Sequence, residues 1–191
     1  MMIWLTLVLA ITPVYAGDHD FPAERVLSAA SGDWDGNGSS DLALLVAPVD
    51  EDEDLTLYLY RQDEGHPLLR LSTVARNIAW GNHDLEGMFG RDATLEALPN
   101  GSIAVHSEQT AVSRNKWQQT ITVAWRDNRF VVAGFTYSSY DTLDPDAGTQ
   151  CDYNVLTGAF VLNGRQGRRD ARILPVEQWE KSGVPAVCEI G

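Results

Sequence analysis

The stretch Trp117 to Tyr137, WQQTITVAWRDNRFVVAGFTY, decides the fold class. Its two halves, Trp117 to Arg126 and Arg129 to Tyr137, are rich in β-branched and aromatic residues, which pack well on a pleated surface. Between them stand Asp127 and Asn128, two residues that tolerate positive φ and suit a tight hairpin turn. The segment therefore predicts two antiparallel strands joined by a two-residue turn.

The same alternation extends outward in both directions. LTLYLYR, Leu55 to Arg61, places leucines on one face and Thr56, Tyr58 and Tyr60 on the other. Further strands are expected at Val26 to Ser31, Leu42 to Ala47, Leu68 to Ala75, Ala93 to Leu98, Ser102 to Ser107 and Ala159 to Asn163. LPNGSI, Leu98 to Ile103, reads as a turn because Pro, Asn and Gly supply the backbone states that turns demand. Helical signal is confined to LPVEQWEKSG, Leu174 to Gly183, with Pro near its start and Gly after its end. Two long connections are expected, Trp80 to Asp92 and Ser138 to Gln150. The expected architecture is a single all-β domain, an antiparallel sandwich or barrel-like fold with few or short helices.

The chain has 191 residues and opens with MMIWLTLVLAITPVYA, uncharged, almost wholly apolar and ending in a small-x-Ala pattern. That reads as a signal peptide over residues 1–16, too short for a membrane span, followed by one β-rich domain over 17–191. An even cysteine count in an exported chain points to a Cys151–Cys188 disulfide, with two buried free thiols as the alternative. Lys and Arg number 14 against 27 Asp and Glu, a formal charge of −13. A surface so anionic disfavours nucleic acid and anionic membrane faces and suits cations.

SGDWDGNGSSDLALL, Ser31 to Leu45, crowds carboxylates just before an apolar strand that offers them no cationic partner. Asp33, Asp35, Asn37 and Asp41 place side-chain oxygens at loop positions 1, 3, 5 and 9, Gly38 supplies a sharp turn, and Ser39 offers its carbonyl. Hard oxygen donors wrapped around a small centre are what Ca²⁺ requires, whereas Zn²⁺ favours nitrogen and sulfur and Mg²⁺ keeps more water. Position 12 is Leu44 rather than a bidentate Glu, and the flanks read as strands, so an EF-hand is disfavoured.

GDWDGNGSSDLALL resembles the calcium hairpin of FG-GAP or VCBS-type repeats, and the looser likeness runs to about Arg61. The resemblance implies Asp33, Asp35, Asn37 and Asp41 as side-chain ligands of Ca²⁺, with Asn standing where the family pattern has a third Asp. No second copy of the motif occurs, so the hairpin and its ion carry over and the propeller does not. The remainder, with RFVVAGFTYSSYDTLDP and CDYNVLTG, resembles exported bacterial proteins, a likeness that implies no activity.

Catalytic signals are weak. Of His19, His66, His83 and His106, only His83 sits beside acids in a glycine-rich loop, with Asp84 and Glu86, and adjacent residues in an extended chain point oppositely. No serine lies in a Gly-x-Ser-x-Gly elbow. Tyr137, Tyr140, Asp141, Tyr153 and Asn154 cluster near one cysteine and make a candidate surface for a protein or glycan partner; the competing reading is that they pin two loops to the sheet edge. The sequence reading is thus an exported, periplasmic or secreted, calcium-stabilised β-domain that binds or serves structurally. The alternatives are an exported hydrolase acting on polysaccharide through unidentified carboxylates, and an acidic inhibitor of a cationic hydrolase.

Overall fold

The structure is a computed structural model that describes residues 23–190, apart from 51, 64, 82–92, 112 and 145. The expected signal segment, His19 and the loop bearing His83, Asp84 and Glu86 lie outside the described residues. The chain builds two antiparallel sheets. The first is a meander of β1 (Val26–Gly32), β2 (Asp41–Val46), β3 (Leu55–Arg61) and β4 (Arg70–Ala79). The second runs in spatial order from β11 (Arg165–Arg168) through β10 (Ala159–Leu162), β9 (Gln150–Asn154), β8 (Arg129–Asp141), β7 (Asn115–Arg126) and β6 (Ser102–Gln109) to β5 (Ala93–Ala97). A short β12 (Leu174–Pro175) pairs with β8 at Val131 and Val132. The sheets adjoin where β1 runs beside β5, and Leu95 N–H donates to Ser28 Oγ at 3.0 Å.

The hairpin over Trp117 to Tyr137 forms as expected. Arg126 pairs with Arg129, and Asp127 and Asn128 take φ of 50° and 60°, the left-handed states that match a tight turn to the strand twist. At Leu98 to Ser102 the turn closes through Gly101 N–H to Leu98 O at 3.0 Å, with Gly101 at φ 77°. Strand alternation then sorts the side chains: Leu55, Leu57 and Leu59 of β3 face inward, while Tyr58 and Tyr60 lie half-buried on the other side. Ile103 and Val105 of β6, Ile121 and Val123 of β7 and Phe135 of β8 complete the apolar layer.

Three strands escape the sequence pattern. β9 and β11 are short and polar on their outer face, and β12 has only two residues, too few for a period to register. β8 also continues through SSYD to Asp141, so the connection expected from Ser138 starts later; Ser139 and Thr149 exchange both backbone hydrogen bonds at 2.8 and 3.2 Å. The expected helix near Leu174 is a 3₁₀ turn, Val176–Lys181, whose i, i+3 spacing buries Val176 and Trp179 together. Trp179 tilts against Phe135 with ring centroids 5.5 Å apart.

Cys151 of β9 and Cys188 of the last 3₁₀ turn (Pro185–Cys188) are disulfide-bonded, their Cα atoms 5.6 Å apart. Both sulfurs lie in the core. The bond closes a loop of sequence separation 37 and holds the C-terminal tail against β9, a constraint of about 3 to 4 kcal/mol by the chain-entropy argument. Among the described residues no helix is long and apolar enough to cross a membrane.

Candidate metal centre

The loop joining β1 to β2 is built around its own carboxylates. Asp33 accepts from Asn37 N–H through Oδ1 and from Gly38 N–H through Oδ2, both at 2.9 Å. Asp35 Oδ1 accepts a second bond from Asn37 N–H at 3.1 Å. Asp41, the first residue of β2, is 1% exposed; its Oδ2 accepts from Trp34 N–H at 3.0 Å and its Oδ1 from Gln62 N–H at 2.9 Å. These bonds pin both ends of the loop to the end of β3. Trp34 lies over Gly32, where a Cβ would stand 2.4 Å from the indole, so only glycine lets the ring close the loop onto the core.

Folding in this way brings one carboxylate oxygen from each of Asp33, Asp35 and Asp41 within 4.8 Å of one another, a cluster that can hold a metal ion. Burial pushes the Asp41 carboxyl above its usual value. The N–H donors of Gln62 and Trp34 pull it back, the Asp35 charge raises it further, and Arg61 lowers it.

The sequence stretch contains no cation, but the fold supplies one. Arg61, the last residue of β3, donates from Nε to Asp35 Oδ2 at 2.8 Å and also pairs with that oxygen through Nη2. The same Nη2 lies 3.2 Å from Asp63 Oδ1, and the guanidinium carbon sits 4.3 Å over the Trp125 ring. The partner sits outside the acidic motif because β2 and β3 pair antiparallel, Leu42 against Tyr60, which returns the end of β3 to the loop. A basic residue closing the strand after the motif was the available signal.

Asn37 departs from a simple ligand pose. Its Nδ2 donates to Asp35 Oδ2 at 3.2 Å and to Gln62 O at 2.9 Å, while Oδ1 accepts from Ser39 N–H at 2.7 Å. The amide thus turns its amino group, not its oxygen, toward Asp35. Ser39 is half-buried beside it.

The five residues expected to form a partner surface do not share one. Tyr153 is 1% exposed and meets Phe160 edge-on in the core, out of a partner's reach. Tyr137 is half-buried and stacks on Trp117 with centroids 6.4 Å apart. Asn154 Oδ1 caps the following turn through Thr157 N–H at 2.9 Å. Asp141 accepts from Arg114 Nε at 2.5 Å, which holds its carboxyl below the usual value. Tyr140, at 49% exposure, and Asn154 are the two of the five that stand out to solvent.

A polar constellation that sequence reasoning passed over lies on the outer face of the larger sheet. His106 of β6 sits between Thr120, 2.8 Å from its Nδ1, and Glu96, 3.3 Å from its Nε2. These three residues stand on three different strands and meet only through strand register, Glu96 being two residue pairs along β5–β6 from Thr94 and His106 and so on the same face. Comparison with known protein families, curated proteins and solved structures finds no match.

Proposed function

We propose that the protein is an exported β-domain, stabilised by Ca²⁺ bound in the β1–β2 hairpin, that acts by binding or as a structural component rather than by catalysis. The observation that carries this reading is the convergence of the Asp33, Asp35 and Asp41 carboxylates within 4.8 Å. The donors fit a hard divalent cation: the cluster offers only oxygen, and Arg61 balances one of its three charges, leaving two. Asp33, Asp35 and Asp41 would hold the ion, with the Asn37 amide oxygen as the further donor that the hairpin resemblance implies and the Ser39 carbonyl as the one that its loop position offers. The ion supplies charge neutralisation and a crosslink within one hairpin, which is a structural role. The N-terminal apolar segment and the disulfide support export.

The test is thermal unfolding of the oxidised protein in millimolar Ca²⁺, in millimolar Mg²⁺ and in excess EGTA, beside the Asp33→Ala/Asp35→Ala variant. For a Kd of ~10 µM, ~1 mM Ca²⁺ stabilises by roughly 2.7 kcal/mol, equivalent to about 5 to 11 °C in a domain of this size. Both carboxylates also accept backbone N–H bonds, so the variant is judged on its calcium-dependent increment, which should vanish, and not on its absolute midpoint. Equal midpoints for the wild type in Ca²⁺ and EGTA refute the site.

A second reading, an exported hydrolase, draws on the Glu96, His106 and Thr120 arrangement. It lacks an oxyanion partner within the strands, because Thr120 lies mid-ladder between β6 and β8, where backbone N–H groups are engaged in the sheet.

A further inference from the structure

The outer face of the larger sheet carries a row of side chains in continuous register: Thr94, His106, Thr120, Thr136, Asp152 and Val161, one from each of six adjacent strands. Their sequence neighbours Val105, Ile121, Phe135 and Tyr153 are buried in the core, so alternation directs the row outward. A second row on the same face, Glu108, Gln118, Ser138 and Gln150, lies one step along the strands. Together they line a cleft of about 770 Å³. Through Asp152 and Val161 it continues into a second hollow of about 390 Å³ beside Gln166 and Gly167. Five strand intervals of ~4.8 Å give the row a length of about 24 Å.

We propose that this cleft is a binding site for a neutral oligosaccharide chain lying across the strands. Charge selects the class of ligand. Among the described residues no Lys or Arg lines the cleft, and the whole chain carries −13, so an anionic ligand would find carboxylates and no counter-charge there. Of the described lining residues the carboxylates are Glu108 and Asp152, on β6 and β9, three strand intervals and two residues along the strand from each other, about 16 Å. A cationic chain would cross hydroxyls and amides between them.

What the lining offers in quantity is hydroxyl and amide groups, each able to donate and accept, which is also the chemistry of a sugar hydroxyl. Thr94, Thr120 and Thr136 are β-branched, so their hydroxyls are held by stiff χ1 torsions and lose little freedom on binding. His106 is fixed at both ring nitrogens by Thr120 and Glu96, and Val161, 39% exposed, offers an apolar surface for the C–H face of a sugar ring.

The inference deepens the reading of the protein as a binder and is independent of the hairpin ion, which lies on the other sheet. The test is a ¹⁵N–¹H correlation titration of the oxidised protein with cellohexaose, maltohexaose, xylohexaose and mannohexaose, and with hexalysine, each at millimolar concentration, in Ca²⁺ and again in EGTA. At least one neutral hexasaccharide should saturably shift amides around His106, Thr120, Thr136 and Asp152. Thr120→Val/Thr136→Val, which keeps shape and strand preference, should weaken that binding about tenfold or more.

Failure of all four sugars to move these amides overturns the proposal, as does a response to hexalysine alone or undiminished binding by the double variant. Binding that persists while Ca²⁺ leaves the midpoint unchanged supports the cleft and refutes the ion. Growth of new reducing-end signals supports the cleft and refutes the non-catalytic reading.

Discussion

Replacing Arg61 with Ala separates the two ways the acidic hairpin can be neutralised. Asp35 is 4% exposed at its side chain and Arg61 24%, so removing the guanidinium leaves a nearly buried carboxylate facing two others. Breaking a fully buried pair costs about 3 to 5 kcal/mol; the partial exposure of Arg61 reduces this to about 2 to 3 kcal/mol. Loss of the stacking on Trp125 at 4.3 Å adds about 1 kcal/mol. The expected loss in EGTA is therefore about 3 to 4 kcal/mol, or about 6 to 16 °C in melting temperature.

In Ca²⁺ the variant should recover more than the wild type gains, because the ion no longer competes with a fixed cation for Asp35. Arg61→Lys keeps a charge without the planar fork, and should fall between the two. Scanning calorimetry of the three proteins at neutral pH and low salt, in EGTA and in Ca²⁺, measures the six midpoints. A variant within about 2 °C of wild type in EGTA refutes the ion-pair reasoning. A calcium increment smaller than that of wild type refutes the competition between Arg61 and the ion.

Three further outcomes follow from the geometry. The Cys151→Ala/Cys188→Ala variant should lose about 3 to 4 kcal/mol of unfolding free energy from loop entropy, measured by urea titration; an unchanged midpoint would mean that the tail docks without its covalent tie. Gly32→Ala places a Cβ 2.4 Å from the Trp34 ring, an overpacking that should cost about 1 to 3 kcal/mol and raise the solvent quenching of Trp34 fluorescence, whereas a fluorescence spectrum identical to wild type would show that the ring does not lie over that glycine. Asp141 should titrate below 3.8 in a carboxyl NMR experiment and return toward that value in Arg114→Ala. Because its folded value is depressed, whatever the pair contributes is present above 3.8 and lost as pH falls through the folded value; a variant that leaves the titration unmoved removes Arg114 as the cause.

Local pattern along the chain was enough to set the fold class and the approximate ends of most strands. Alternation in LTLYLYR and WQQTITVAWR reports burial on one face of a strand, and Asp127-Asn128 fixes a turn through φ preferences that belong to those two residues alone. It also placed the acidic hairpin between two strands, because the carboxylate spacing, the glycines and the apolar run after them are all local. Tertiary structure decided what those carboxylates meet. Arg61 reaches Asp35 only through the β2–β3 register, and the Gln62 N–H reaches Asp41 the same way.

Tyr153 reads as a loop residue next to Asn154 and a Gly-terminated turn, yet the pairing of β9 between β8 and β10 turns it into the core. The row from Thr94 to Val161 is likewise invisible along the chain. Its members stand in six strands whose sequence order says nothing of which residue faces which until hydrogen bonding sets the register, and a slip of one residue in any pair would turn that strand's member inward. Local periodicity is a property of neighbours in sequence; a binding face on a sheet is a property of neighbours across it.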